Sequence, residues 1–282
     1  MGCGCKGNNN QAQIQSPEQA QQVQQTKEAI KQQQSESIKA AIKKTVEKYG
    51  HRDPNFEFGT NPCSEIILRP YQFCNLTEVV VRHDDTKETL LRKVRLAAIL
   101  GTIQATFTKF PYLRKVWQRN TEEERLLGVS LTGIYDSKLT CTQGEKLNEL
   151  LSELREAARQ ANKEFAGLLG IPVSAAITCV KPSGTVSQLV DSASGIHPRH
   201  SKYYIRRVRG DKKDPLTQFL ISQGIPNEPC VYKPDQTVVF SFPQKAPAGI
   251  TRSDVSPISH LELWLTYQRH WCEHKPSVTI SV

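Results

Sequence analysis

Among the eight cysteines of this 282-residue chain there is no Cys-x-x-Cys pair. Cys3 and Cys5 sit close together, and the others are scattered at 63, 74, 141, 179, 230 and 272. A chain this long with cysteines so dispersed is not a small disulfide scaffold. His270, Cys272 and His274 alternate near the C-terminus, but zinc-type ligation wants a second cluster, and none is present. Also missing is any apolar run approaching the roughly 20 residues that a membrane helix needs. Residues 1–25 lack the apolar centre of a signal peptide. Met1-Gly2 opens like a myristoylation site, yet Lys6 stands where Ser or Thr is required. The phosphate-loop spacing GxxxxGK[ST] is absent as well. These absences lead us to expect a soluble cytoplasmic protein of a reducing compartment, with no membrane association and no bound structural metal.

What is present supports a folded core. Hydrophobic residues make up 38% of the chain, and the mean hydropathy of −0.48 is lowered by a polar N-terminus. Eleven of residues 11–34 are glutamine. The formal net charge of +9 favours anionic partners such as nucleotides, nucleic acid or acidic protein surfaces.

Residues 1–15 read as a disordered tail, with Cys3 and Cys5 as incidental thiols. Ser16-Pro17-Glu18-Gln19 reads as a helix start, with Ser16 as cap. Helical spacing then strengthens toward Ile38, Ile42, Val46 and Tyr49. We therefore divide the chain into a Gln-rich tail, disordered then helical, over 1–49, and a catalytic domain over 50–282. From Cys74 onward strands alternate with helices, the pattern of an α/β sheet or barrel. Strands are expected at 76–81, 128–134, 175–180, 237–242 and 277–282. A helix capped by Asp85 should carry Leu90, Leu91, Val94, Ala97 and Ala98 inward. A longer one, opened by a Thr142–Glu145 capping box, should carry Leu147, Leu150, Leu151, Leu154, Ala158, Ala161, Phe165 and Leu168 inward and end at Gly170.

The chemistry concentrates in residues 59–76, GTNPCSEIILRPYQFCNL. In an extended backbone alternate side chains share a side, so Asn61, Cys63 and Glu65 would project together. An amide can orient hydroxyls, a carboxylate can take a proton, and a thiol can do nucleophilic, radical or redox work. Cys74 follows eleven residues after Cys63 as a second thiol. A further candidate is Pro182-Ser-Gly-Thr-Val-Ser187, where a buried strand gives way to a turn. There Gly184 lets backbone amides approach an anion, and the Ser183, Thr185 and Ser187 hydroxyls add donors. The basic, aromatic run 202–213 (Tyr203, Tyr204, Arg206, Arg207, Arg209, Lys212) suits base stacking and phosphate contact, and equally a solvated face. Cys141 and Cys179 read as packing residues.

The segments NPCSEI, FCNL, LLGVSLTG, KPSGTVSQLVDSASGIHPR, YYIRRVRGDKKDPL and HWCEHKPSVTISV, in this order, resemble those of class II ribonucleotide reductases. These are the adenosylcobalamin-dependent ribonucleoside-triphosphate reductases, and the resemblance covers roughly residues 50–282. It implies part of a ten-stranded α/β barrel, namely the catalytic finger loop and most of the second half. It also implies a thiyl radical at Cys63, formed with adenosylcobalamin, that abstracts the ribose 3′-hydrogen. Glu65 would take the 3′-hydroxyl proton and Asn61 would hold the hydroxyls. Water would leave from the 2′ position, and a dithiol that includes Cys74 would supply the electrons, renewed by thioredoxin or a similar reductant. Residues 182–187 would hold the phosphates of a ribonucleoside triphosphate. The first half-barrel, with the partner of Cys74, does not precede residue 50, and the expectation is a split enzyme completed by a complementary chain. A catalytically incomplete fragment, or a basic nucleic-acid-binding module, is the alternative reading.

Overall fold

The structure is a computed structural model that describes residues 17–49, 52–246 and 250–282. Cys3, Cys5 and the Ser16 cap lie outside the described residues. The chain begins with α1 (Pro17–Tyr49), followed by the short strands β1 (Gly59–Thr60) and β2 (Ile67–Leu68) and by β3 (Asn75–Val80). Next come α2 (Lys87–Gln104), α3 (Lys115–Glu124), β4 (Leu127–Thr132), a one-turn α4 (Lys138–Cys141), α5 (Glu145–Leu169) and β5 (Thr178–Cys179). The remainder is α6 (Val186–Leu189), β6 (Tyr203–Asp211), α7 (Pro215–Ser222), β7 (Asn227–Pro229), β8 (Thr237–Lys245) and α8 (Pro257–His270).

The centre is a parallel sheet in the order β3-β4-β5. Every residue of β4 is buried, as expected of a parallel strand covered on both faces. α2 and α5 pack on each other, and Leu90, Val94, Leu151, Leu154 and Ala158 join Val129, Leu131 and Trp271 in one apolar core. Each such side chain contributes roughly 1.5–3 kcal/mol when fully buried. The α5 periodicity is borne out through Ala161, whereas Leu168, near its end, is 75% exposed. Gly170 closes α5 in the left-handed region at φ 65°.

Several local expectations are corrected. α2 is capped by Thr86, whose side chain and Thr89 form the reciprocal pair; Asp85 instead binds the Lys93 ammonium and the Arg82 amide. No Thr142 box exists, because α5 starts after Gly144 with no side-chain cap. The strand at 175–180 shrinks to Thr178–Cys179, extended by a single bridge from Val180 to Pro276. No strand forms at 277–282. Pro276 has no N–H to give a ladder, and the Thr279 amide is taken by the His197 ring. The described residues thus hold three parallel strands of an α/β fold, not a closed barrel, and β3 pairs on one edge only.

A second sheet, antiparallel in the order β6-β8-β7, carries α7. Thr217 of α7 and Phe240 of β8 both pack close to Gly210. In α1, Ile42 and Val46 pack with Phe58 and Ile67 at the back of the β1–β2 hairpin, and the Lys48 ammonium donates to the Arg269 carbonyl. The described side chains of its Gln-rich first half are exposed, paired along the helix as Gln24 with Glu28 and Gln32 with Glu36.

Candidate active site

β1 and β2 form a two-rung antiparallel hairpin, Gly59 opposite Leu68 and Thr60 opposite Ile67. Its tip, residues 61–66, carries Asn61, Cys63 and Glu65. The tip is not extended. Asn61 closes it, its Oδ1 accepting the Ile66 amide at 3.0 Å and its own amide donating to the Ile66 carbonyl at 3.2 Å. Ser64 takes a left-handed φ of 62°, a conformation that costs a non-glycine residue about 1 kcal/mol. This turn breaks the extended backbone in which alternate side chains share a side. Cys63 is exposed at the apex, and Glu65 is 0% exposed beneath it.

Glu65 is the unusual group. Neither of its carboxylate oxygens has a hydrogen-bond partner among the described residues. Buried polar atoms are nearly always paired, so an orphan carboxylate marks a functional position. Its charge also raises the thiols of Cys74 and the fully buried Cys179, adding to the larger effect of burial. Cys74 is half-buried just before β3 and is held as a neutral thiol, although the Arg52 guanidinium pulls in the opposite direction.

The hairpin stands on a buried polar frame that sequence reasoning missed. Arg52 donates through Nε and Nη2 to Glu124, both at 2.8 Å, and through Nη1 to the Ile67 carbonyl at 2.9 Å. Gln72 donates to the same carboxylate and accepts the Arg69 amide at 2.9 Å. From the far end of the chain, Lys275 donates its amide to the Glu65 carbonyl at 3.0 Å. The His274 ring accepts the Ile67 amide at 3.3 Å and donates from Nε2 to the Leu127 carbonyl at 2.9 Å. That pair of bonds requires the neutral ring, and burial and the nearby Arg52 charge hold its pKa down to about 3. His270, Cys272 and His274 therefore do not gather as ligands: Cys272 is buried core, and His274 braces the hairpin.

At the opposite end of β3, Glu78 accepts a bond from the Ser183 hydroxyl. Glu78 lies four residues beyond Cys74, about 13 Å at strand rise. Ser183 is itself at φ 52°, buried, and its oxygen accepts the Ser187 amide at 3.2 Å. Ser187 is fully buried, bonded to the Ser183 carbonyl and the Ser194 hydroxyl. These two serines build the turn from within. Gly184 and Thr185 are exposed on it. The amides of Gly184, Thr185 and Val186 have no acceptor among the described residues. Behind the turn, Arg199 bonds Asp136 and Asp191, and Arg82 donates to the Val190 and Asp191 carbonyls. Gly195, at φ 56°, packs against the Lys181 carbonyl at the turn's start. An Arg and an Asp some sixty positions apart leave no periodic signal, so only the fold brings this brace together.

The basic run 202–213 is mostly β6. Strand alternation puts Arg207 and Arg209 on one side and Arg206 on the other, and Arg207 pairs with Glu228. This divides the positive charge instead of concentrating it.

A parallel sheet faced by helices, with a thiol-tipped hairpin and a hydroxyl-rich turn, defines an α/β protein. Among solved structures, a B12-dependent, class II ribonucleotide reductase superposes with a TM-score of 0.68 at 27% identity, over 79% of this chain and 35% of that one. The Actinobacillus ureae class Id reductase alpha subunit, 18% identical with a TM-score of 0.54, shares the fold. Among curated proteins, the adenosylcobalamin-dependent ribonucleoside-triphosphate reductase of Euglena gracilis is 32% identical over 228 residues, which are 79% of this chain and 30% of that protein. The enzyme of the same name from Lactobacillus gasseri is 31% identical over 252 residues, 79% of this chain and 34% of that protein. No protein-family model matches. Along the matched segment the chain is similar to these adenosylcobalamin-dependent reductases, and it spans about a third of the length of these curated relatives.

Proposed function

We propose that the chain supplies the radical-bearing loop and the phosphate turn of a ribonucleotide reductase that makes 2′-deoxyribonucleotides from ribonucleoside triphosphates. The orphan carboxylate of Glu65, fully buried beneath the exposed thiol of Cys63, carries the reading. Burial of an unpaired carboxylate is costly unless a ligand completes it, and a ribose hydroxyl is such a partner.

Cys63 stands at the exposed apex, where a bulky cofactor can reach it, and this fits adenosylcobalamin. When bound, that group supplies the one-electron oxidising equivalent that turns the Cys63 thiol into a thiyl radical. The radical then takes the 3′-hydrogen of the ribose. Glu65 accepts the 3′-hydroxyl proton. Asn61 has its oxygen committed to the Ile66 amide, which leaves Nδ2 to hold a hydroxyl. The 2′-hydroxyl leaves as water, Cys74, with a second thiol from the rest of the barrel, provides two electrons and two protons and becomes a disulfide, and Cys63 and Glu65 return the hydrogen to C3′ and the proton to the 3′-oxygen, which restores the thiyl radical. A dithiol protein such as thioredoxin restores it. The phosphates lie on the amides of Gly184, Thr185 and Val186 and on the Thr185 hydroxyl, with Ser183 and Ser187 shaping the turn.

The open edge of β3 is where the first half-barrel would add its strand, and we assign that strand to a complementary chain. Residues 50–282 form the catalytic portion in this reading, and α1 braces the hairpin from behind. The test is deoxynucleotide formation from labelled ribonucleoside triphosphates in the native assembly, with adenosylcobalamin and a dithiol. Cys63→Ala should abolish product, and Cys74→Ala should block turnover with dithiol reductants, because half of the two-electron donor is lost. Normal turnover by Cys63→Ala rejects the assignment.

A further inference from the structure

We propose that Glu78 is the positioning residue of the 182–187 turn: through the Ser183 hydroxyl it fixes where the phosphates lie relative to the Cys74 thiol. The inference rests on the reading of 182–187 as a phosphate turn. Glu78 sits in β3, which pairs with β4 at every residue from Asn75 to Val80. In that register Glu78 is opposite Ser130, and Ser130 is opposite Cys179 of β5. Paired residues share a face of the sheet, and the first two of this row both grip the chain as it leaves β5. The Ser130 hydroxyl accepts the Lys181 amide at 2.8 Å, and Glu78 accepts the Ser183 hydroxyl. Alternation from Glu78 leads back through Leu76 to Cys74, so one continuous strand segment carries both the thiol and the anchor of the turn.

The Ser183 hydroxyl is used twice. It donates to Glu78, and its oxygen accepts the Ser187 amide at 3.2 Å, which closes the turn from within. Residue 183 holds a left-handed φ of 52° while it does so. With this hydroxyl committed, the Gly184, Thr185 and Val186 amides are the donors left without an acceptor among the described residues. A carboxylate beside an anion site would ordinarily oppose it. Here the opposition is reduced, because Glu78 is half-buried and its charge is shared with neighbours. Burial pushes its carboxyl above the ordinary value, and the Ser183 hydroxyl and the Lys181 ammonium pull partly back. A carboxyl held in this way acts as an acceptor first and as a charge second, so an amide oxygen can take its place.

The probe is inorganic tripolyphosphate, and the readout is hydrogen exchange of the full chain at residues 184–187. In the parent chain the probe should slow exchange at the Gly184, Thr185 and Val186 amides. Glu78→Ala should need about tenfold more probe for the same protection. It should also speed exchange at Ser187, whose amide is bonded to the Ser183 oxygen. Glu78→Gln keeps an oxygen for the Ser183 hydroxyl and carries no opposing charge, so its affinity should equal or exceed that of the parent. Exchange at Leu127 and Val129 of β4, bonded to the Ala176 and Ile177 carbonyls, reports that each variant is folded. In the native assembly, Glu78→Ala should raise KM for the ribonucleoside triphosphate about tenfold while kcat changes less than about twofold, the mark of lost binding. Equal protection of the parent and Glu78→Ala overturns the role of Glu78 and leaves the phosphate turn standing. Glu78→Gln as weak as Glu78→Ala, or a loss confined to kcat, overturns it as well. No protection in the parent chain removes the phosphate turn itself, and this inference with it.

Discussion

Replacing Glu65 by methionine should make the protein more stable while removing the proposed chemistry. The carboxylate is 0% exposed and neither oxygen is bonded. A buried polar group left unsatisfied costs about 1–3 kcal/mol, more when charged. Methionine is unbranched, of similar length, and adapts to irregular gaps. The one bond that anchors residue 65, from the Lys275 amide to its carbonyl, belongs to the backbone and survives. Cys74 and Cys179, which feel the Glu65 charge, would meet an apolar neighbour instead. We expect a gain of about 1–3 kcal/mol, read as an upward shift of roughly 2–4 °C per kcal/mol in a domain of this size. Urea unfolding of the full chain followed by tryptophan fluorescence, with Trp271 in the core, measures it. A second readout is independent of stability. Without the Glu65 charge the Cys74 thiol should titrate lower than in the parent chain, though burial still holds it high. Destabilisation by more than about 1 kcal/mol would mean that the carboxylate has a partner in the folded chain, and the argument from an orphan group would collapse.

Asn61→Ala removes the Oδ1 acceptor of the Ile66 amide and should cost about 0.5–1.5 kcal/mol, with faster hydrogen exchange at Ile66; unchanged protection there would contradict the closed tip. Gly195→Ala places a methyl against the Lys181 carbonyl at a left-handed φ of 56° and should cost about 2 kcal/mol or more, opening residues 182–187 to proteolysis. His274 gives a pH dependence. Its folded pKa of about 3 lies below the unfolded value near 6.5, so the unfolded state binds the extra proton as pH falls. Its contribution is intact above pH 6.5 and is lost toward pH 3, about 2 kcal/mol by pH 5; His274→Gln should flatten that slope in denaturation curves taken at each pH.

The elements legible in the sequence are those whose periodicity is local. β4 announced itself as a short buried strand, its Ser130 and Thr132 buried like its Leu127, Val129 and Leu131 because a parallel strand is covered on both faces, and α5 by its inward leucines. Cys63, Glu65, Cys74 and the 182–187 turn could be chosen because few residue types do their chemistry. Their arrangement was not legible. Alternation predicted Cys63 and Glu65 on one side, but a single left-handed residue, Ser64, and a side-chain bond from Asn61 turned the segment into a hairpin tip. Caps were missed where neighbouring polar residues compete, as Thr86 did with Asp85. The final strand failed because pairing depends on a neighbour, and Pro276 with His197 diverts the backbone.

Composition and motif thus pointed by themselves to an α/β protein and to the residues proposed for thiol, carboxylate and anion-binding chemistry, since those properties reside in single residues and short spacings. Tertiary structure alone decided that Glu65 would be buried without a side-chain partner and that His274 and Arg52 would brace the hairpin. Each depends on residues distant in sequence, and nothing in a local pattern specifies where the folded chain will bring them.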